Sequence, residues 1–95
     1  MTTITPDSVF RRSPNATHQT VAREAILIDL NTGSYYSLNE TGTWLWEHLD
    51  GKHTIGELAV ELATACDIPD QVDMVQQDLN DLVANLLKEG LVIVS

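Results

Sequence analysis

Along this chain the spacing of apolar residues changes once, near Asn39, from a period of two to a period of 3.6. Upstream, Thr17–Val21 is rich in β-branched residues with polar interruptions, the pattern of a strand exposed on one face. Ala25–Leu30 is an almost unbroken apolar run interrupted by Asp29, and Asn31-Thr32-Gly33-Ser34 follows it as a turn. Gly33 supplies the positive φ that a tight connection needs, and Tyr35–Leu38 is the returning strand. The first third therefore predicts a small antiparallel sheet of three strands. Residues 1–14 are polar and punctuated by Pro6 and Pro14; they read as a flexible arm in which Val9–Arg12 could begin a short strand.

Downstream the signals are helical. Asn39 is a suitable N-cap and Glu40 complements the helix dipole, so a short helix carries Trp44, Leu45, His48 and Leu49 on one side until Asp50-Gly51 ends it. Thr54-Ile55-Gly56-Glu57 has the form of a capping box, in which hydroxyl and carboxylate each satisfy a free backbone donor. Behind it Ile55, Leu58, Ala59, Leu62 and Ala63 make one apolar stripe that ends near Cys66. After the turn Asp67-Ile68-Pro69 the longest helix runs from Asp70 to Glu89, with Val72, Val75, Leu79, Leu82, Val83, Leu86 and Leu87 facing inward. Gly90 stands in the left-handed position after that helix, Leu91 folds back on Leu86, and Leu91–Val94 is a brief terminal strand. This order predicts an α+β, winged-helix-like domain: an N-terminal three-stranded antiparallel sheet followed by three α-helices, over residues 15–95.

Length and charge narrow the function. At 95 residues the chain holds one domain, and no stretch approaches the roughly 18 consecutive apolar residues of a membrane span, so no membrane partner is expected. Residues 1–14 lack the basic start and apolar run of a secretion signal, which predicts a cytoplasmic protein. A net charge of -9, from 14 acids against five Lys and Arg, repels polyanions. The element order alone would allow a winged-helix DNA-binding regulator. Yet the third predicted helix carries Asp70, Asp73, Asp78, Asp81 and Glu89 against the single Lys88, the reverse of what phosphate contacts require, and nucleic acid is not expected as a partner.

Catalytic chemistry is hard to find. His18, His48 and His53 fall on a predicted strand, a helix and a loop, without the helical spacing of a metal site. Cys66 has no motif around it and reads as a small buried residue near a helix end. The carboxylates Asp29, Glu40, Glu47 and Glu57 read as solvated, and the five glycines are scattered singly, so no phosphate loop forms. The expectation is a protein that is not an enzyme and holds no metal or other cofactor. What remains is geometry: Tyr35–Leu38 is short and followed at once by a helix, so at a sheet edge its main chain would accept an added strand. One of the two tyrosines must then cover the core, because consecutive strand residues point to opposite faces.

At this point a resemblance enters. Ile26-Leu27-Ile28-Asp29-Leu30-Asn31-Thr32-Gly33-Ser34-Tyr35-Tyr36-Ser37-Leu38-Asn39-Glu40-Thr41-Gly42 is similar to a segment of the PqqD family. Trp44-Leu45-Trp46, Leu49-Asp50-Gly51, Thr54-Ile55-Gly56-Glu57-Leu58 and Leu86-Leu87-Lys88-Glu89-Gly90-Leu91-Val92 continue the resemblance in the family's order, over roughly residues 15 to 94. It implies a stand-alone recognition element from the biosynthesis of ribosomally made, post-translationally modified peptides, such as pyrroloquinoline quinone or lasso peptides. Such an element has a winged-helix-like fold and binds the leader of a precursor peptide as an extra strand against its third strand, in a cleft bordered by its third helix. It presents that leader to a modifying enzyme, such as a radical S-adenosylmethionine protein or a leader peptidase, and performs no reaction itself. Carried onto this chain, the expected groove is the main chain of Tyr35, Tyr36, Ser37 and Leu38, with Met74, Asp78, Asp81, Leu82 and Asn85 along the helix. Leu82 reads equally as core. Asp78 and Asp81 are placed to meet a Lys or Arg of the leader, at about 0 to 1 kcal/mol for each exposed pair, and read equally as a solvated helix face.

Overall fold

The change of period near Asn39 is where the backbone passes from strand to helix without a loop. The computed structural model describes residues 4–94. Its elements are β1 (Val9–Arg12), β2 (Ala16–Val21), β3 (Glu24–Asp29), β4 (Tyr35–Leu38), α1 (Glu40–His48), β5 (Asp50–Thr54), α2 (Ile55–Ala65), a 3-10 turn (Pro69–Gln71), α3 (Val72–Lys88) and β6 (Val92–Val94). Two three-stranded antiparallel sheets result, in the orders β2-β3-β4 and β5-β1-β6. The first is the sheet the sequence predicts. The fold is α+β as expected, but its strands are not confined to a single N-terminal sheet.

The second sheet corrects two expectations. Within residues 1–14, read as a flexible arm, Val9–Arg12 is a middle strand, with Phe10 only 1% exposed; Met1–Thr3 lie outside the described residues, as does Ser95. A phenylalanine buried in the core holds the segment in place, and a boundary at residue 15 would remove that strand. Asp50–Thr54, read as a helix stop and a loop, is β5, extended because β1 lies beside it. The arm also closes the start of α2. Ile55 and Gly56 donate their N–H groups to the carbonyls of Ser8 and Pro6, at 2.9 and 2.8 Å. A Cβ on Gly56 would stand 3.0 Å from the Pro6 oxygen, tighter than an ordinary contact, so a larger residue there would press on the arm.

Local signals at the helix ends act as the sequence predicts. Asn39 caps α1 by accepting the Gly42 N–H at 2.8 Å. Thr54 and Glu57 form the reciprocal capping box, at 2.9 and 3.0 Å. At the end of α3, Gly90 has φ +73°, Leu91 N–H reaches the Leu86 carbonyl at 2.9 Å and Gly90 N–H reaches that of Leu87 at 3.0 Å, a Schellman ending. Only the start of α3 differs. The chain turns through the 3-10 segment Pro69–Gln71 before α3 begins at Val72, because Pro69 cannot donate and fits the first position of such a turn.

One apolar cluster joins every layer. It holds Phe10 of β1, Ala25 and Leu27 of β3, Leu38 of β4, Leu45 and Trp46 of α1, the α2 stripe, and Val75, Leu79, Val83 and Leu86 of α3. Val72, Leu82 and Leu87 pack against it half-buried. In α1 the inward side is set by Leu45, Trp46 and Leu49, so Trp46 fills the core while Trp44 and His48, expected on that side, are half-buried and stack on each other at 4.0 Å. Cys66, expected to be buried, is exposed. It caps the C-terminus of α2, where Asp67 turns the chain with φ 60°.

Two carboxylates tie the loops electrostatically. Asp50 sits below its ordinary value of 3.8 because the N–H of Lys52 donates to it, with His53 adding a backbone and a side-chain hydrogen bond, the latter at 2.9 Å. Glu57 sits below its ordinary 4.5 because the Thr54 N–H donates to it. Lowered carboxylate values stabilise the fold fully above the ordinary values, and that contribution is lost as the pH falls through the lowered ones. Glu57→Gln keeps a capping partner but removes the charge, so its urea-measured stability should fall less steeply than that of wild type between about pH 5 and 3. Phe10→Ala should cost about 3 to 5 kcal/mol in the same measurement, since the deleted ring leaves a cavity in the middle of both layers.

Candidate functional site

The hairpin that presents β4 is fixed by hydrogen bonds that also decide which way its main chain points. Gly33 takes φ +77°, its N–H donates to the Asp29 carbonyl at 2.8 Å, and Asp29 N–H donates to the Ser34 carbonyl at 2.8 Å. In the register that follows, Ile28 faces Tyr35, Leu27 faces Tyr36, Ile26 faces Ser37 and Ala25 faces Leu38. Antiparallel pairs alternate between bonded and unbonded, so counting from Asp29 and Ser34 the polar groups of Tyr36 are turned toward β3. Those of Tyr35 and Ser37 are turned outward. No strand among the described residues lies on that side, because β4 is an edge of its sheet.

Side chains divide by the same parity. Tyr36 packs half-buried against the core and Leu38 is 4% exposed, whereas Tyr35 is 76% exposed and Ser37 is exposed. An added strand would therefore meet two different surfaces. Its inward side chains would lie beside Tyr36 and Leu38, and its outward ones beside Tyr35 and Ser37.

The helix residues expected for the groove share one side of α3. Met74 is 53% exposed, and Asp78, Asp81 and Asn85 are exposed at the i, i+4, i+7 and i+11 spacing of a single stripe. Leu82 is half-buried and packs on the core. Asp81 also accepts a hydrogen bond from Gln77 at 3.1 Å. The strand set and the helix set are not packed together: α1 touches both β4 and α3, while β4 and α3 are not among the closely packed pairs.

Other features escaped the sequence. Trp44, stacked on His48, is the ridge between two open hollows of about 410 and 360 Å³, one reaching Leu62 and Cys66 and the other Arg23 and Glu47. The signal was present in the Trp44-His48 spacing of four, which places both rings on one helix face. Trp46 is the fully buried hinge between the sheets: the Arg12 guanidinium of β1 lies 5.7 Å from its ring centre and the His18 ring of β2 meets it edge-on at 6.0 Å. Among the described residues no three His, Cys, Asp or Glu side chains gather as a metal site, and no helix is long and apolar enough to cross a membrane. Since Cys66 is exposed, a thiol reagent should label it in the native protein at the same rate as in urea, within about threefold; strong protection in the native state would place it in the interior.

Comparison with known proteins follows the same lines. Residues 24–92 match the sequence model of the family described as coenzyme PQQ synthesis protein D (PqqD). Among curated proteins none matches. Two solved structures share the fold. One is TbiB1 in complex with the TbiA(beta) leader peptide, with a TM-score of 0.73 and 23% identity, covering 86% of this chain and 93% of that one. The other is lasso peptide synthetase B1 complexed with the leader peptide, with a TM-score of 0.75 and 23% identity, covering 88% of this chain and 96% of that one.

Proposed function

From the premise that this chain belongs to the PqqD family, matched over residues 24–92, we propose that it captures the leader segment of a ribosomally made precursor peptide and presents it to a modifying enzyme. The leader adds as a strand beside β4, between it and the exposed stripe of α3. Main-chain bonds to Tyr35 and Ser37 supply affinity, and pockets beside Tyr36 and Leu38 select side chains. The observation that carries this reading is the outward row of donors and acceptors on β4, beside which no strand lies among the described residues. Two fold relatives solved with leader peptides support it.

In this role the protein is a binding module and not an enzyme. It works in the cytoplasm beside its partners, a precursor peptide and an enzyme such as a radical S-adenosylmethionine protein or a leader peptidase. Asp78 and Asp81 would favour a basic residue in the leader, at about 0 to 1 kcal/mol for each pair because both are exposed. No observation favours the DNA-binding alternative, since the exposed side of α3 is acidic.

Ser37→Pro tests the reading. Proline removes the outward N–H and sets its ring on the open edge, while the β3-β4 ladder keeps its own bonds. The precursor peptide encoded beside the module should bind this variant about tenfold or more weakly, and in wild type the amide signals of Tyr35 and Ser37 should shift most on titration. Unchanged affinity in a folded Ser37→Pro protein would remove strand addition at β4 from consideration.

A further inference from the structure

At the end of the β3-β4 ladder the sheet carries a hollow of about 420 Å³, lined by Glu24, Ala25, Ile26, Ser37, Leu38 and Asn39. Ala25 and Leu38 face each other in the register and are 1% and 4% exposed, so their side chains belong to the core and only their main chain can floor it. Glu24, Ile26 and Ser37 point the other way by strand parity, and the hollow therefore opens on the side of the sheet away from the core. Asn39 closes one end, its side chain held in place by the Gly42 N–H at 2.8 Å.

The walls change character inward from the β4 edge. Ser37, small and exposed, stands at the edge itself. Behind it, paired with it across the ladder, is Ile26, 46% exposed. Glu24 lies two residues along β3 on the same face, and it is exposed. Among the described residues no cation lies within ion-pair distance of Glu24, since the neighbouring Arg23 turns to Glu40 instead, at 3.5 Å. A polar entrance, an apolar bed and an unneutralised carboxylate thus follow one another.

A strand added beside β4 has two outward side chains, one beside Tyr35 and one beside Ser37. The Tyr35 ring, 76% exposed, blocks the way across β4 at the first position, whereas Ser37 leaves it open at the second. From an added strand to β3 is two strand spacings, about 10 Å. A short side chain stops at Ser37. Lysine or arginine can lay its apolar stem along Ile26 and bring its charged end to Glu24. An acidic side chain would meet Glu24 as a like charge, in a protein of net charge -9.

We infer that this hollow is the subsite for a lysine or arginine of the leader at the outward position beside Ser37, with Ile26 as the bed of its stem and Glu24 as its counter-ion. The inference rests on the leader-binding reading and adds a second source of selection to it. The core side of the added strand chooses apolar side chains beside Tyr36 and Leu38, and the outer side reads a charge. Because neighbours along a strand alternate between faces, the basic residue is flanked in the leader sequence by the two that point inward. The pair is open to solvent, so its effect on affinity is modest and weakens with salt.

The test uses the full chain and the leader of the neighbouring precursor, made as a panel in which each residue in turn is replaced by Lys, Met or Glu. Affinities are measured with wild type, Glu24→Gln, Glu24→Lys and Glu61→Lys, the last an exposed glutamate of α2 that controls for net charge. In wild type the position that nuclear Overhauser contacts place beside Ser37 should prefer Lys to Met about threefold and Lys to Glu about tenfold. Glu24→Gln should lose the preference for Lys over Met, Glu24→Lys should prefer Glu, and Glu61→Lys should behave as wild type. The Met peptide reports folding, since all four proteins should bind it within about twofold of one another. A preference that survives both Glu24 variants, that Glu61→Lys removes equally, or that belongs to a position away from Ser37 overturns the subsite and leaves the leader reading standing. A wild-type module that binds no member of the panel overturns the leader reading and the subsite with it.

Discussion

Ala25 donates its N–H to the Thr43 hydroxyl at 2.9 Å in the interior, and the placement of β4 follows from that bond. Ala25 stands opposite Leu38, the last pair of the β3-β4 ladder, and Thr43 is 3% exposed. With Asn39 capping α1 directly after Leu38, the hydroxyl fastens the first turn of α1 to the end of the middle strand. No loop intervenes, so the orientation of β4 and that of α1 are one quantity. Gly42 allows the closeness, since a Cβ there would stand 3.1 Å from Leu38. Because α1 also touches α3, the same fastening sets the distance between the edge strand and the long helix. Removing the hydroxyl would leave a buried amide unpaired, at about 1 to 3 kcal/mol.

Whatever depends on neighbours in sequence was legible before any coordinates. The capping box at Thr54, the Asn39 cap, the glycine turn at Gly33 and the Gly90 ending each need only a few adjacent residues, and each forms as read. What depended on distant neighbours was not. Asp-Gly-Lys-His-Thr has no apolar alternation, and it becomes β5 only because β1 arrives from forty residues upstream. The turn between β2 and β3 gave no signal either, since Ala22 and Arg23 adopt φ 51° and 69° without glycine or asparagine to announce them.

The candidate site divides in the same way. That one tyrosine must face the core follows from strand parity, but which one requires the register, and Asp29 with Ser34 fixes it in favour of Tyr36. Likewise two tryptophans two residues apart cannot both lie on one helix side, and only the position of the sheets shows that Trp46, not Trp44, enters the core. The helix stripe was legible as a stripe, because Met74, Asp78, Asp81 and Asn85 obey the helical period.

Among the described residues four strands end their sheets, and their edges are not equivalent. In β5 the N–H groups of Lys52 and His53 are taken by the Asp50 side chain, at 2.9 and 3.2 Å, and the ladder to β1 shifts register, so little main chain is free to pair. β6 has three residues, too few for a specific row. β2 is longer, at six residues, but of its core-side residues Ala16, His18 and Thr20 only Ala16 packs on the core, and His18 and Thr20 are exposed and polar. Those of β4 are Tyr36 and Leu38, which already belong to the apolar interior. A strand joining β2 would find little of the apolar interior on its core side, whereas a strand joining β4 would lie beside the half-buried Tyr36 ring and remove apolar surface from water, at about 25 cal/mol for each Å². Main-chain bonds are the same for every sequence, so discrimination among peptides must come from buried side chains, and β4 is the edge that buries them.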